Sequence, residues 1–281
     1  MLDPKPRLPR DFRLNNGDVI PAIGVGCWMG KQGEGDHVIS MVKTALVLGY
    51  RHIDTVSDEA SVGQGIRESG VPRSELYITT KLASEDHWDP MSALETSLAK
   101  LGLDYVDLYL MHWPMALRAD GSAVQPNETP TYIETWHAMQ EVLKTGKTRA
   151  IGVSNLSQRL LSDLLAHPKT TIVPAVNQVE AHPCLPQHEL RKFCRDKGIL
   201  LGVQRGTAVV PKSVREERLI QNSSVIELSQ DDMQLLDRLH LKQGMHRSVC
   251  GFHSLESGGS CFGWTYEQLG WGFCSGGIMR Q

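Results

Sequence analysis

The chain has 281 residues, of which 41% are hydrophobic and 22% are charged, a balance typical of a globular protein with a buried core. Its net charge of −3 argues against a general nucleic-acid-binding protein. The first residues are polar and proline-rich, and no apolar run reaches the roughly 18 residues that a bilayer span needs. We therefore expect no signal peptide and no membrane segment, and we predict a cytoplasmic protein.

The cysteines form no CxxC pair, and no histidine cluster stands at the spacing of metal ligands. They are Cys27, Cys184, Cys194, Cys250, Cys261 and Cys274. We interpret them as free thiols in a reducing compartment, and we predict no metal site.

In chain order, short runs of β-branched and apolar residues alternate with amphipathic helical stretches. A hairpin at about residues 11–21 is predicted around the turn Asn15-Asn16-Gly17. The strands that follow are predicted at residues 22–27, 51–55, 76–81, 105–112, 149–153, within 171–179, 199–203 and 207–210. Helical periodicity lies between them, and Thr129-Pro130 is expected to supply the N-cap and first-turn proline of one helix.

Strands that alternate with helices at this spacing indicate βαβ units and a parallel sheet, and eight of them predict a closed (β/α)8 TIM barrel of the α/β class. The alternative is a doubly wound open sheet. That fold normally carries GxGxxG after its first strand, and Gly24-Val25-Gly26 is followed here by residues that do not fit it. We predict one domain over residues 1–281, with a tail at about 243–281.

One gap interrupts this order. The seventh and eighth predicted strands are separated only by Gln204-Arg205-Gly206, whereas parallel neighbours need a crossover of about a dozen residues. The seventh crossover helix is therefore missing, and the barrel is expected to be incomplete. Either the two segments merge into one strand or one of them leaves the barrel.

Polar residues stand at the carboxyl ends of the predicted strands, where a β/α barrel forms its active site. They are Asp54, Lys81, His112, Ser154, Asn155, Gln178, Lys212 and Ser213. Any one of them alone is a weak signal, since a strand-terminal aspartate is more often a helix cap and a single histidine is more often structural. Their occurrence on six strands at one rim indicates a functional site.

These residue types fit one chemistry. A buried Lys81 needs a carboxylate, so Asp54 and Lys81 are expected to pair across adjacent strands. Such a cation polarises a carbonyl oxygen or lowers the pKa of a nearby phenol, and His112 could orient that carbonyl by a hydrogen bond. Asn155 and Gln178 could hold a carboxamide such as that of nicotinamide.

A phosphate site is predicted at the end of the eighth strand. Lys212 and Ser213 are expected to open a helix, and a helix amino terminus with a lysine suits a phosphate group. Arg218 follows on the same helix, where it could stack on a purine or pair with a phosphate.

The chain resembles the aldo-keto reductase family over nearly its whole length. The matching stretches are LNNGDVIPAIGVGCW, LGYRHIDT, VPRSELYITTKL, LGLDYVDLYLMHWP, IGVSN, VNQVEAHP and VPKSVREERLIQN, and the tail CFGWTYEQLGW is similar to that of fungal members. The resemblance implies a (β/α)8 barrel, NADPH as the usual cofactor, and reversible reduction of a carbonyl to an alcohol. It also implies that the tail lies over the barrel mouth.

The resemblance also implies roles for individual residues. It assigns catalysis to Asp54, Lys81 and His112. It assigns nicotinamide binding to Ser154, Asn155 and Gln178, the 2′-phosphate of NADP(H) to Lys212, Ser213 and Arg218, and the adenine to Asn222.

Two departures from the family pattern change this expectation. The family reads HIDTAxxYxNExxVG where this chain reads HIDTVSDEASVG, so about three residues are missing before Asp58, and the proton-donating tyrosine is missing with them. Tyr109 lies on the fourth predicted strand with the opposite parity to His112 and is expected to point outward. The family also has about fifty residues after the seventh strand that are absent here, including an aromatic residue that stacks on the nicotinamide.

The leading hypothesis is an NADPH-dependent reductase of small carbonyl or alcohol substrates, monomeric, with turnover lowered by the loss of the tyrosine. The alternative is a non-catalytic NADP(H)-binding protein that keeps the site at residues 212–222. A weaker alternative is an interaction protein that uses the tail. Trp28, Trp88 and Trp113 are candidates for lining an apolar pocket, although aromatic residues are as often plain packing.

Overall fold

A computed structural model describes residues 11–28, 35–202, 208–224, 226, 228–253 and 258–280 of the chain. A short antiparallel hairpin, β1 (Asp11–Arg13) and β2 (Val19–Pro21), comes first, with Phe12 opposite Ile20. The predicted turn at Asn15-Asn16-Gly17 is confirmed, since Gly17 has a positive φ of 94° and its N–H donates to the Leu14 carbonyl. Glycine adopts this conformation at little steric cost.

Seven parallel strands follow, and their order in the sheet is their order in the chain. They are β3 (Gly24–Gly26), β4 (His52–Asp54), β5 (Tyr77–Leu82), β6 (Val106–Met111), β7 (Thr148–Ser154), β8 (Val176–Gln178) and β9 (Leu200–Gly202). The crossovers carry α1 (Gly35–Val47), α2 (Glu59–Ser69), α3 (Pro90–Leu101), α4 (Tyr132–Lys144), α5 (Gln158–Ala166) and α6 (His188–Asp196). The predicted α/β barrel architecture is therefore confirmed as an incomplete, curled parallel sheet.

The amino ends of the crossover helices follow local side-chain chemistry. Asp89 caps α3 by accepting from Ser92 N, and Pro90 occupies the first turn. Helix α4 begins at Tyr132, and its cap is Thr131 rather than the expected Thr129. The reason is a capping box, because Glu134 lies three residues after Thr131 and each side chain bonds the other residue's backbone N–H.

The two segments around the missing crossover do not merge into one strand. Strand β9 pairs with β8, and Gly202 lies opposite Gln178. Val209 instead forms a parallel bridge with Ile23 at the start of β3, where Gly24 N donates to its carbonyl over 2.8 Å. Residues 208–211 therefore occupy the eighth position of the barrel, although the five residues before them are far too few for a crossover helix. Thr207 and the Gln204-Arg205-Gly206 link lie outside the described residues.

The strand alternation divides the core into two layers. Leu108 and Leu110 of β6 belong to an inner cluster that also includes Ala150, Val176 and Ala208. Tyr109, between them, belongs to the outer cluster against the helices, and its hydroxyl donates to the Pro90 carbonyl at 3.2 Å. This confirms the expected outward direction of Tyr109, because neighbouring side chains of a strand point to opposite faces.

After the barrel segment come α7 (Glu216–Ser223) and α8 (Gln230–Asp237), and the tail adds β10 (Ser260–Cys261), β11 (Trp264–Thr265) and α9 (Tyr266–Leu269). Trp264 is buried and donates from Nε1 to the Val124 carbonyl over 2.7 Å, which fixes the tail to the loop after β6. Helix α8, by contrast, has no buried residue, and Leu235 is 65% exposed.

No helix in the described part of the chain has the length and apolarity required to cross a lipid bilayer. Within those same residues, no group of three or more His, Cys, Asp or Glu side chains is arranged to hold a metal ion.

Candidate active site

Asp54 and Lys81 form an ion pair at the carboxyl ends of β4 and β5. Both side chains are almost completely buried, and the ammonium also lies 3.5 Å from the Thr55 carbonyl. The predicted pairing across adjacent strands is confirmed. A buried ammonium and carboxylate offset part of each other's desolvation cost, which favours this pairing inside the protein.

Gln178 connects this pair to the opposite side of the rim. Its Nε2 donates to Oδ2 of Asp54 over 2.9 Å, while Lys81 bonds the other carboxylate oxygen. Ser154 donates to the Gln178 carbonyl over 2.7 Å, and Asn155 donates from Nδ2 to the His112 carbonyl over 2.9 Å. The structure therefore brings the candidate nicotinamide residues into one hydrogen-bonded group with the candidate catalytic residues.

His112 directly follows β6 beside this group. Burial, and next the positive charge of Lys81, lower the pKa of His112 to about 3, against an opposing effect of Asp54. The ring is therefore neutral at physiological pH, so it can donate or accept a hydrogen bond but does not carry a proton for release.

Two further residues of this neighbourhood were not predicted from the sequence. Cys27 is buried beside Asp54, and burial, followed by the charge of Asp54, raises the pKa of its thiol. Glu59 is buried at the start of α2 and accepts a hydrogen bond of 2.6 Å from Thr80. The signal that could have identified Glu59 is a carboxylate directly before the run of small residues Ala60-Ser61-Val62-Gly63.

Asp58, just before α2, is a third residue that was not predicted. It has a positive φ of 54°, and its side chain does not cap the helix. Its Oδ2 atom is buried and lacks a hydrogen-bond partner among the described residues. The shortened segment thus leaves a carboxylate oxygen without a donor close to Asp54 and Lys81, whose charges act together with that of Asp58 on Cys27.

None of the six tyrosines takes the place of the missing phenol. The hydroxyls of Tyr50, Tyr109 and Tyr132 donate to backbone carbonyls outside the site. The other three are placed as follows: Tyr77 packs edge-on against His52, Tyr105 lies under the guanidinium of Arg73, and Tyr266 bonds His253. The charged pair therefore has no phenol beside it.

The candidate phosphate residues lie where residues 208–211 pass into α7. Lys212 and Arg218 are exposed, Ser213 is buried, and Asn222 is half-buried. Helix α7 begins at Glu216, so the expectation that Lys212 and Ser213 open the helix is wrong by about one turn. The reason is local, because Ser213 Oγ accepts from Arg215 N at 3.1 Å and forms a turn before the helix.

Aromatic side chains from the tail pack at the barrel mouth beside His112. Trp113 has ring centroids of Phe252, Phe262 and Trp271 within 5.8, 5.0 and 6.0 Å. Trp28 joins the group through Phe252 at 5.9 Å. The tail therefore covers this part of the rim, as the resemblance implied.

A cleft of about 610 Å³ lies between the start of α2 and helix α3. Its wall includes Asp58, Glu59 and Lys81, together with Trp88 and Asp89 from the loop after β5. It lies at the segment that the missing tyrosine would have occupied. Trp88 therefore lines this flank rather than the aromatic group around Trp113.

Comparison with known proteins agrees with this geometry. The model of the aldo/keto reductase family matches residues 22–203. Glycerol 2-dehydrogenase (NADP+) of Saccharomyces cerevisiae is 41% identical, with 84% of this chain and 92% of the relative covered. D-galacturonate reductase of Hypocrea jecorina is 37% identical, with 80% and 89% covered.

The alignment with the Saccharomyces cerevisiae dehydrogenase is 291 positions long, although it includes only 84% of this chain of 281 residues. Some residues of that relative therefore have no counterpart in this chain. This agrees with internal segments missing from the family pattern.

Solved structures lead to the same family. An aldo-keto reductase of Bombyx mori in complex with NADP superposes with a TM-score of 0.72 at 32% identity, covering 81% of this chain and 92% of that one. A second aldo-keto reductase, complexed with NADPH, gives a TM-score of 0.75 at 32% identity, covering 83% and 88%. On its fold, its rim residues and these likenesses, the chain belongs to the aldo/keto reductase family.

Proposed function

We propose that the protein reduces small aldehydes or ketones to alcohols with NADPH, at a rate limited by the missing phenol. The observation that carries this proposal is the buried Asp54–Lys81 pair, with Gln178 bonded to it and His112 alongside. A buried cation at a strand end is a preorganised donor for the negative charge that develops on a carbonyl oxygen during reduction.

The residues present fit the two ends of NADPH. The hydroxyl and amide groups of Ser154, Asn155 and Gln178 are suited to a carboxamide, and a chain of hydrogen bonds connects them through Asp54 to Lys81. Lys212 and Arg218 are exposed, and neither forms an ion pair with another described residue, which leaves both cations available for a phosphate group. The NADP and NADPH complexes of the similar structures support this choice of cofactor.

Held by Ser154, Asn155 and Gln178, the nicotinamide of NADPH would supply the hydride that reduces the carbonyl carbon. The carbonyl oxygen accepts a hydrogen bond from Lys81, and the neutral ring of His112 orients it. Lys81 then gives one proton to the oxygen as the alcohol forms and regains a proton from water. Asp54 holds the ammonium in position during the step, and the aromatic group around Trp113 excludes water from the mouth.

Loss of the phenol sets the expected rate. A positioned general acid contributes about 10²–10⁴-fold, so turnover is expected to be lower than in a family member with the tyrosine by about that factor. The second candidate function, NADP(H) binding without turnover, is favoured by the same observation that no tyrosine stands beside Lys81.

Two measurements on one sample separate these functions. NADPH fluorescence titration measures binding, and loss of NADPH absorbance with a simple aldehyde measures turnover. Binding with slow turnover that disappears in the double variant Asp54→Asn, Lys81→Met, which removes both buried charges, supports the reductase. Binding without turnover supports the second function, and absence of binding contradicts both.

A further inference from the structure

One face of helix α8 carries three exposed side chains in a row, which we call the α8 stripe. Asp231, Leu235 and Arg238 follow one another at spacings of four and three residues, so they lie on the same side of the helix. All three are exposed, and Leu235 is 65% exposed. Met233 and Leu236 lie on the opposite face and are half-buried, so that face is directed toward the rest of the protein. The α8 stripe is therefore the solvent side of the helix.

Large apolar side chains are also exposed on both sides of α8 along the chain. Leu228 precedes the helix and is 43% exposed, and Leu241 follows it and is 71% exposed. Ile226 is exposed in the same part of the chain. A single exposed leucine is ordinary, whereas several large apolar side chains together mark a surface that contacts another molecule.

The charges of the α8 stripe are complementary to those of a second copy of the same helix. Asp231 and Arg238 flank Leu235, and neither side chain forms an ion pair with another residue that the structure describes. The helix dipole accounts for an acid near the start and a base near the end, but not for the leucine exposed between them. A second α8 in the antiparallel direction brings each Asp231 opposite an Arg238, whereas a parallel one sets like charges together.

The antiparallel arrangement also has a two-fold register. The midpoint between Asp231 and Arg238 falls next to Leu235, so an axis at this point sets the Leu235 side chains of the two copies against each other. The same axis brings Leu228 of one copy toward Leu241 of the other, because the two residues are equally far from the midpoint in the sequence. Apolar side chains thus meet apolar ones and opposite charges meet, which is the self-complementarity that an isologous dimer interface requires.

From this register we propose that the α8 stripe is the contact surface between two copies of this chain, with the two helices antiparallel about a two-fold axis. The dimer takes the place of the monomer expected from the sequence, and it does not depend on the proposed reductase function. Packed helices lie about 8–10 Å apart, a distance at which the leucines touch and the longer charged side chains pair beside them. One short helix from each copy buries less than the roughly 800 Å² per partner of a standard interface, so the dimer forms reversibly at micromolar concentrations.

Sedimentation velocity of the full chain at about 1 to about 200 μM measures this association, because the average mass of a reversible dimer rises with concentration in that range. Leu235→Asp should weaken the association at least about tenfold, since it sets two carboxylates against each other at the axis. Val47→Asp is the matched control, because Val47 is 79% exposed at the end of α1, outside the α8 stripe. A monomer at every concentration, or equal association of Leu235→Asp and the unaltered protein, would overturn the proposal.

Charge reversal tests the register with two variants that check each other's folding. Asp231→Arg and Arg238→Glu each set like charges opposite one another in a homodimer, so each variant alone should remain monomeric. An equimolar mixture of the two restores both pairs of opposite charge and should form a heterodimer, which misfolded chains would not do. Added salt should weaken that heterodimer. Absence of association in the mixture, or a homodimer of either variant as stable as that of the unaltered protein, would overturn the antiparallel contact.

Discussion

Nε2 of Gln178 donates a hydrogen bond of 2.9 Å to Oδ2 of Asp54, across 124 positions of the chain. This bond joins the carboxyl ends of β4 and β8, which lie on different parts of the curled sheet. Asp54 thereby receives donors on both oxygens, one from Gln178 and one from Lys81. The carboxylate is the element through which the amide and ammonium sides of the site are held together.

Removing the lysine from this pair should destabilise the protein. Lys81→Met leaves Asp54 buried without its cation, which we expect to lower the free energy of unfolding by about 3–5 kcal/mol, measured by urea denaturation. The double variant Asp54→Asn, Lys81→Met removes both charges and should recover most of this loss while remaining inactive. Equal stability of the single variant and the unaltered protein would show that the pair is not desolvated.

Restoring the missing segment should raise turnover. We expect insertion of Gly-Tyr-Gly between Ser57 and Asp58 to increase kcat by about 10²–10⁴, because a phenol beside Lys81 can act as the general acid. The cleft of about 610 Å³ at this position provides the space. The matched control is Gly-Phe-Gly, which restores the length without the proton. Equal rates for the two insertions would assign any gain to loop length rather than to acid catalysis.

Stability should fall as the pH is lowered below about 6.5, because His52, His87 and His112 have strongly lowered pKa values in the folded protein. Burial is the largest cause that lowers the pKa of His52 and His87 to about 4 and of His112 to about 3. A histidine whose folded pKa is depressed contributes its full stability above its unfolded pKa, near 6.5, and loses it as the pH falls toward the folded value. Each contributes a slope of up to about 1.4 kcal/mol per pH unit in this window.

Urea midpoints at pH 7, 6 and 5 measure this slope above the range in which carboxylates with lowered pKa are protonated. His87→Gln should make the dependence shallower, because it removes one of the three groups. An unchanged slope in that variant would indicate that His87 is accessible to protons in the folded state.

Glu180 holds the tail to the barrel. Its carboxylate accepts hydrogen bonds from Val249 N at 2.7 Å and from Ser248, as well as from His182. Although burial acts to raise it, these hydrogen bonds keep the pKa of Glu180 below its usual value. We expect Glu180→Gln to weaken tail docking by about 1–3 kcal/mol, since hydrogen bonds to a charged group are stronger than those to an amide.

Limited trypsin digestion at Arg247 reports this change, because cleavage follows local opening of the segment. The variant should be cut about tenfold faster than the unaltered protein, and Glu189→Gln, an exposed change on α6, should be cut at the original rate. Equal rates for both variants would show that Glu180 does not restrain the tail.

The strand order and the pairing of Asp54 with Lys81 were predictable because they depend on local periodicity and on the shared direction of parallel strands. The start of α7 was not, since the turn that Ser213 makes with Arg215 competes with a helical start at the same residues. The unpartnered oxygen of Asp58 depends on how a shortened segment closes, which is a three-dimensional property. The pairing of Val209 with Ile23 adds a segment at the β3 edge of the sheet and has no local signal.

That last pairing has a consequence for how the chain acquires its shape. Every other strand of the parallel sheet lies beside the strand that precedes it in sequence, so each can be added as synthesis proceeds. Val209 must instead pair with Ile23, beside the first strand of the sheet, after the intervening residues have been synthesised. Because these two residues are far apart in the chain, forming this contact has a high cost in loop-closure entropy. Until then β3 is an open strand edge, whose unpaired N–H and C=O groups can pair with another chain.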